Sequence, residues 1–231
     1  MSELLRYGDG PDQVAEYFPA GPDPVARVLF LHGGYWRAAY DRTHARPLAS
    51  ALAEAGFAVL LAEYRRVGQP GGGYPGTLDD VATAIDTLPG GPFLLAGHSA
   101  GGHLALWAAT RSGERVAGVL ALAPVADLAL ASKLGLSNGA TEEFLGGSPA
   151  EVPDRYAVAD PTALPAPGVP VTILHGDADD TVPLDVARSY AADGRATLRV
   201  LEGSEHFGVI TPGSADWPRV VAALNLLVKS V

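Results

Sequence analysis

Residues 92–101 read Pro-Phe-Leu-Leu-Ala-Gly-His-Ser-Ala-Gly, and the chain continues to Thr110 in a segment rich in Ala and Leu. The apolar run over residues 92–96 has the composition of a buried strand, and Ser99–Thr110 that of a helix. Between them stands a G-x-S-x-G, Gly97-His98-Ser99-Ala100-Gly101. A strand that turns sharply into a helix at such a motif holds the serine hydroxyl out above a sheet, and its glycines let the two elements approach closely. The plainer reading is a glycine-rich turn whose serine caps the helix.

Outward from this turn, short apolar runs recur at Arg27–Leu31, Phe57–Ala62, Val116–Ala121, Val171–Leu174 and Thr197–Leu201, with an earlier candidate edge strand at Val14–Phe18. Longer segments between them carry apolar residues at helical spacing. This alternation predicts an α/β protein with a mostly parallel sheet and helices on both faces. Leu78, Val81, Ala82 and Ile85 form one helical stripe that continues to Leu88, with Thr77 and Asp80 as its expected capping pair. Pro183–Ala192 and a segment opening at Asp216-Trp217-Pro218 and running through Leu227 are further helices. Residues 68–76 read as a surface loop, and 126–170, rich in Gly, Pro and Ser, as a small lid of short helices. No linker divides the chain, so one domain over residues 1–231 is expected.

The 231 residues are 48% hydrophobic and 18% charged, the composition of a folded globular chain. A net charge of −10 repels phosphate backbones and anionic lipid, which argues against nucleic-acid and membrane partners. The absence of cysteine excludes disulfides, thiolate metal sites and a thiol nucleophile. Without a signal-like N-terminal pattern or a long apolar segment, a cytoplasmic protein is expected.

A serine hydroxyl is a weak nucleophile, so Ser99 needs a base within hydrogen-bond reach and an acid to orient that base. Where such a turn is catalytic, the acid follows the serine in the chain and the histidine follows the acid. The run Val171–Leu174 leads into a loop with Asp177, Asp179 and Asp180; the run Thr197–Leu201 leads into one with His206. Loops at the carboxyl ends of parallel strands gather at one edge of the sheet. His44, His98, His103 and His175 suit packing or hydrogen-bonding roles, and His32 precedes the serine, which leaves His206 as the candidate base. After Arg27–Leu31 comes His32-Gly33-Gly34-Tyr35-Trp36. The amides of Gly33, Gly34 and Ala100 are candidate donors to the oxyanion of a tetrahedral intermediate. Tyr35 and Trp36 are candidate walls of a substrate pocket, although an aromatic pair at a strand end also suits core packing.

These motifs resemble the α/β-hydrolases of the hormone-sensitive-lipase and kynurenine formamidase (arylformamidase) branch, whose oxyanion loop reads HGG followed by an aromatic pair. The resemblance runs from Tyr7-Gly8 and Pro11-Asp12-Gln13 to the end of the chain. Its HGxxDxxVP pattern falls on His175, Gly176, Asp179, Val182 and Pro183, which implies Asp179 as the triad acid. Glu63-Tyr64-Arg65 resembles the branch's (N/D)YR element with Glu in first place, and Asp160-Pro161 stands where relatives read Ser-Pro. The resemblance implies an α/β-hydrolase fold with a minimal cap and hydrolysis of a small carboxylic ester or amide through Ser99, His206 and Asp179. Neither metal nor organic cofactor is expected. Kynurenine formamidase activity is the alternative within the branch, and a non-catalytic binding protein on the same scaffold is the alternative outside it.

Overall fold

The structure is a computed structural model that describes residues 3–111 and 113–230. Its strands are β1 (Glu3–Arg6), β2 (Val14–Phe18), β3 (Ala26–Leu31), β4 (Phe57–Ala62), β5 (Phe93–His98), β6 (Val116–Leu122), β7 (Val171–Gly176) and β8 (Thr197–Leu201). They form one sheet in the order β1-β2-β4-β3-β5-β6-β7-β8. β1 pairs antiparallel with β2 and β2 with β4, whereas every pairing from β4 to β8 is parallel.

Side chains alternate across a strand, and this alternation builds two cores. Val28 and Phe30 of β3 pack with Leu48, Ala49 and Leu52 of α1 (Arg46–Glu54) and with Val220 and Leu224 of α8 (Trp217–Lys229). Leu29 and Leu31 face the other way, into a core shared with α2 (Gly76–Thr87), α3 (Ala100–Ala109) and α7 (Leu184–Ala191). Central strands are therefore covered on both faces, which is why β4 and β5 are buried throughout and apolar but for His98 at the end of β5. β8 is an edge strand with four of its five residues at least partly exposed. Among the described residues, no helix is long and apolar enough to cross a membrane.

The expected lid region, residues 126–170, folds as α4 (Leu128–Lys133), α5 (Ala140–Leu145) and α6 (Pro153–Ala159). Two elements had no counterpart in the sequence reading. β1 is four residues long and mostly exposed, and α1 relies on Ala for part of its buried face. The expected capping pair of α2 is corrected: Thr77 donates its hydroxyl to the Arg65 carbonyl, and Asp80 binds the Arg65 guanidinium at 2.6 Å. Both side chains tie the helix to the strand-end loop instead of closing its first turn. Asp216 stands at the start of α8 without a side-chain cap, because its carboxylate takes the Ser204 hydroxyl and Arg219.

The turn between β5 and α3 rests on close backbone contact. A Cβ on Gly97 would sit 2.1 Å from the Gly101 carbonyl oxygen, and one on Gly101 would sit 2.0 Å from that of Leu31. Backbone cannot yield as a flexible side chain does, so Gly101→Ala is expected to cost at least the upper end of the roughly 1–3 kcal/mol typical of overpacking. Urea unfolding midpoints of the variant and the parent measure this.

Candidate active site

Ser99 sits in that turn with φ 55° and ψ −118°, a left-handed conformation that is strained for a residue with a Cβ. The turn is held by three backbone bonds: Ser99 N–H donates to Leu122 O (2.9 Å), and Ser99 O accepts from the amides of His103 and Val125. Its side chain makes no helix-capping hydrogen bond and instead lines a cavity of about 640 Å³. Ala100 follows as the first residue of α3, where backbone N–H groups have no intrahelical acceptor and the helix dipole is positive.

His206 lies in the loop after β8 and lines the same cavity. Its Nδ1 donates to Asp179 Oδ2 at 2.7 Å, which leaves Nε2 as the free ring nitrogen. Asp179 comes from the loop after β7. Its Oδ1 accepts from the amides of Thr181 (3.0 Å) and Val182 (2.8 Å), and its Oδ2 also lies 3.3 Å from His175 Nε2. Burial alone pushes this carboxyl up, but the bonds from His175, His206 and the Val182 amide outweigh it and hold the group far below the usual carboxylate range. Of the three candidate acids only Asp179 meets His206: Asp177 caps the Gly203 amide at 2.7 Å, and Asp180 is exposed.

Two histidines read from the sequence as packing or hydrogen-bonding residues support this pair. His175 Nε2 donates to Val182 O (2.8 Å) while facing Asp179, so it braces both the acid and its loop. His98 Nε2 donates to the His206 carbonyl at 3.0 Å. Burial and the neighbouring His206 push His98 well below the ordinary histidine range, which keeps it neutral. Their positions, inside G-x-S-x-G and at the head of HGxxD, were the available signal.

The loop after β3 runs beside Ser99. A Cβ on Gly33 would lie 3.2 Å from Ser99 Cβ, so Gly33 abuts the serine, and Gly34 lines the cavity with φ 116°. Tyr35 and Trp36 share the left-handed region, at φ 50° and 58°. Tyr35 lines the cavity and donates its hydroxyl to Thr181 O (2.7 Å), fastening this loop to the Asp179 loop. Trp36, expected beside it in the pocket wall, is instead fully buried and absent from the cavity lining. Its indole stacks on Phe144 at 4.6 Å and its Nε1 donates to His103 Nδ1 at 3.2 Å.

The remaining lining comes from Tyr40, His44, Pro47, His98, Ser137, Thr181, Phe207, Ile210, Thr211 and Pro212. Among the described residues, no Asp, Glu, Lys or Arg lines this cavity. Ser137 brings in the 126–170 segment. Arg37 anchors it, donating to Ser137 Oγ (2.9 Å), Ser137 O (2.7 Å) and Glu143 Oε2 (2.7 Å). Among the described residues, no three His, Asp or Glu side chains gather to hold a metal ion.

The sequence model of the BD-FAE family matches residues 17–192. The search of curated proteins finds no match. Among solved structures, a putative thioesterase from Silicibacter sp. TM1040 is 26% identical with a TM-score of 0.77, over 96% of this chain and 85% of that one. A thermophilic esterase from the planctomycete Thermogutta terrifontis is 23% identical with a TM-score of 0.74, over 99% and 92%. A truncated carbohydrate esterase from gut microbiota is 18% identical with a TM-score of 0.78, over 99% and 95%. The architecture is that of the α/β-hydrolases.

His103, edge-on to Trp36, accepts from its indole at Nδ1 and donates from Nε2 to Ala159 O (2.9 Å), an arrangement that only the neutral ring satisfies. Burial pushes it down to about 4. An unfolded histidine, near 6.5, binds its proton first, so stability present above that pH is lost as the pH falls from about 6.5 toward 4. The expected loss is about 3 kcal/mol over that window, and it should shrink in His103→Gln when unfolding is followed across the pH series.

Proposed function

Because the chain belongs to the BD-FAE family, we propose that it is a serine hydrolase that cleaves small uncharged carboxylic esters through an acyl-enzyme on Ser99. The reading is carried by one observation: His206 Nδ1 is bound to the buried Asp179 carboxylate at 2.7 Å, and the ring shares a cavity with the strained turn that presents Ser99. Ser99 Oγ attacks the ester carbonyl while His206 Nε2 takes its proton. Asp179 keeps the ring oriented and balances the imidazolium. The amides of Gly33, Gly34 and Ala100 are the donors for the oxyanion. On collapse of the tetrahedral intermediate, His206 returns the proton to the departing alkoxide, and water repeats the sequence to release the acid. The esterase names of the structural neighbours agree with this chemistry.

Small amides fit the same machinery, and kynurenine formamidase is the second reading. N-formylkynurenine carries an ammonium and a carboxylate, and no charged side chain lines the cavity among the described residues. Burying unpaired charges is costly, which favours the uncharged ester. A non-catalytic binder on this scaffold would not need a strained serine or an oriented imidazole.

Ser99→Ala should unfold at the same denaturant midpoint as the parent and lose p-nitrophenyl acetate turnover by about 10³-fold or more; unchanged turnover would eliminate the mechanism. Labelling of the parent by a fluorophosphonate probe, absent in Ser99→Ala, separates enzyme from binder. Asp179→Asn should lower kcat by about 10⁴-fold and Asp177→Asn by less than about tenfold. Short aryl esters should be turned over with higher kcat/KM than N-formylkynurenine, and the reverse order would favour the formamidase.

A further inference from the structure

His32 and Glu63 form a buried pair that the triad chemistry leaves without a role. His32 Nε2 lies 2.7 Å from Glu63 Oε1, and His32 Nδ1 lies 2.7 Å from the carbonyl oxygen of Gly33. A carbonyl oxygen only accepts, so Nδ1 carries a hydrogen. Glu63 is surrounded by donors: the Arg42 amide at 3.0 Å, the Tyr64 amide at 3.2 Å, Arg66 Nη1 at 3.0 Å and Arg42 Nη1 at 3.4 Å. It is therefore an ionised acceptor, and Nε2 must carry a hydrogen too. With both nitrogens donating, the ring is an imidazolium whose charge Glu63 balances. The ring cannot rotate away, since it stacks on Tyr64 at 4.4 Å and 9°, and the Tyr64 hydroxyl donates to the His32 carbonyl at 2.7 Å.

The peptide that receives the Nδ1 hydrogen bond joins Gly33 to Gly34. In a trans peptide the carbonyl and the next N–H point in opposite directions, so fixing Gly33 O toward His32 fixes the Gly34 N–H away from it. Gly34 lines the cavity that Ser99 and His206 share. A charged donor on the carbonyl also polarises the amide, as in any chain of hydrogen bonds, and makes its N–H a stronger donor.

We propose that His32 and Glu63 are positioning residues for the oxyanion site: together they orient and polarise the Gly33–Gly34 peptide so that the Gly34 N–H meets the developing oxyanion. The proposal rests on the serine-hydrolase reading. Neither side chain lines the cavity, so the pair acts through that peptide and not on substrate.

The test is Glu63→Gln, which keeps a hydrogen-bonding partner for Nε2 and removes the countercharge. Arg66 retains Asp12 at 2.7 Å, so the variant is not left with an orphan guanidinium. Loss of a whole oxyanion donor typically costs about 10²- to 10³-fold in kcat; weakening one should cost about 10-fold or more, with KM unchanged within about threefold. A trifluoromethyl ketone, which forms a tetrahedral oxyanion on the serine, should lose affinity in step with kcat/KM. Glu63→Asp, which keeps the charge, should recover part of the loss. Tyr7→Phe is the structural control: it removes the bond from the Tyr7 hydroxyl to the Glu63 carbonyl (2.6 Å) and should lower Tm without lowering kcat. If Glu63→Gln does not fold, His32→Gln carries the same readouts.

Parental kcat and ketone affinity in Glu63→Gln, a defect confined to KM, or an equal loss of kcat in Tyr7→Phe would each overturn the proposal. Turnover that survives in Ser99→Ala would instead sink the hydrolase reading on which it stands.

Discussion

Where α3 passes under the end of β3, the backbone of Gly101 meets the carbonyl oxygens of Leu31 and His32 so closely that no Cβ fits between them. That contact sets how steeply the chain must climb out of β5, and so places Ser99 in a left-handed conformation at the top of the sheet. The same approach brings the residues after β3 alongside the serine, so Ser99 and the His32–Trp36 loop are positioned by one packing event. The acid and histidine loops come from neighbouring strands, β7 and β8, and reach the same edge because the pairings from β5 to β8 are parallel.

Around this turn, histidines are sorted by the hydrogen bonds they make. His98, His103 and His175 each donate from Nε2 to a backbone carbonyl, whereas His206 donates from Nδ1 to a carboxylate. The first three are thereby committed to structure in one tautomer. His206, which lines the cavity, is held in the other, and the chemical difference lies in the partner, since all four rings are buried.

The sequence made the sheet and the serine turn legible because both are written locally, in apolar runs and in the pattern around Ser99. Asp179 needed more: three carboxylates share its loop, their spacing does not separate them, and it was the HGxxDxxVP resemblance that pointed to Asp179, the one of the three that meets His206. Trp36 was misplaced because two consecutive left-handed residues send the members of an aromatic pair to different sides, a feature no periodicity encodes. Thr77 and Asp80 looked like a local cap, but Arg65 draws both away. His98 and its partner His206 stand 108 residues apart, beyond the reach of any spacing argument. β1 carries little apolar signal because it is a short exposed edge.

Arg37 follows the His32–Trp36 loop directly and is bound at both its Nη atoms to Ser137 of the 126–170 segment. The wall of the cavity and the glycine loop beside Ser99 therefore share an anchor. A graft that reshaped 126–170 to admit bulkier molecules would have to preserve a landing point for this guanidinium, or the change in selectivity would arrive with a slackened glycine loop. The segment's helices are also pinned from inside, by Phe144 against Trp36, Glu143 on Arg37 and Ala159 O on His103, so diversification has room only on their exposed faces and least at the strained corner Ser137-Asn138, beside the arginine.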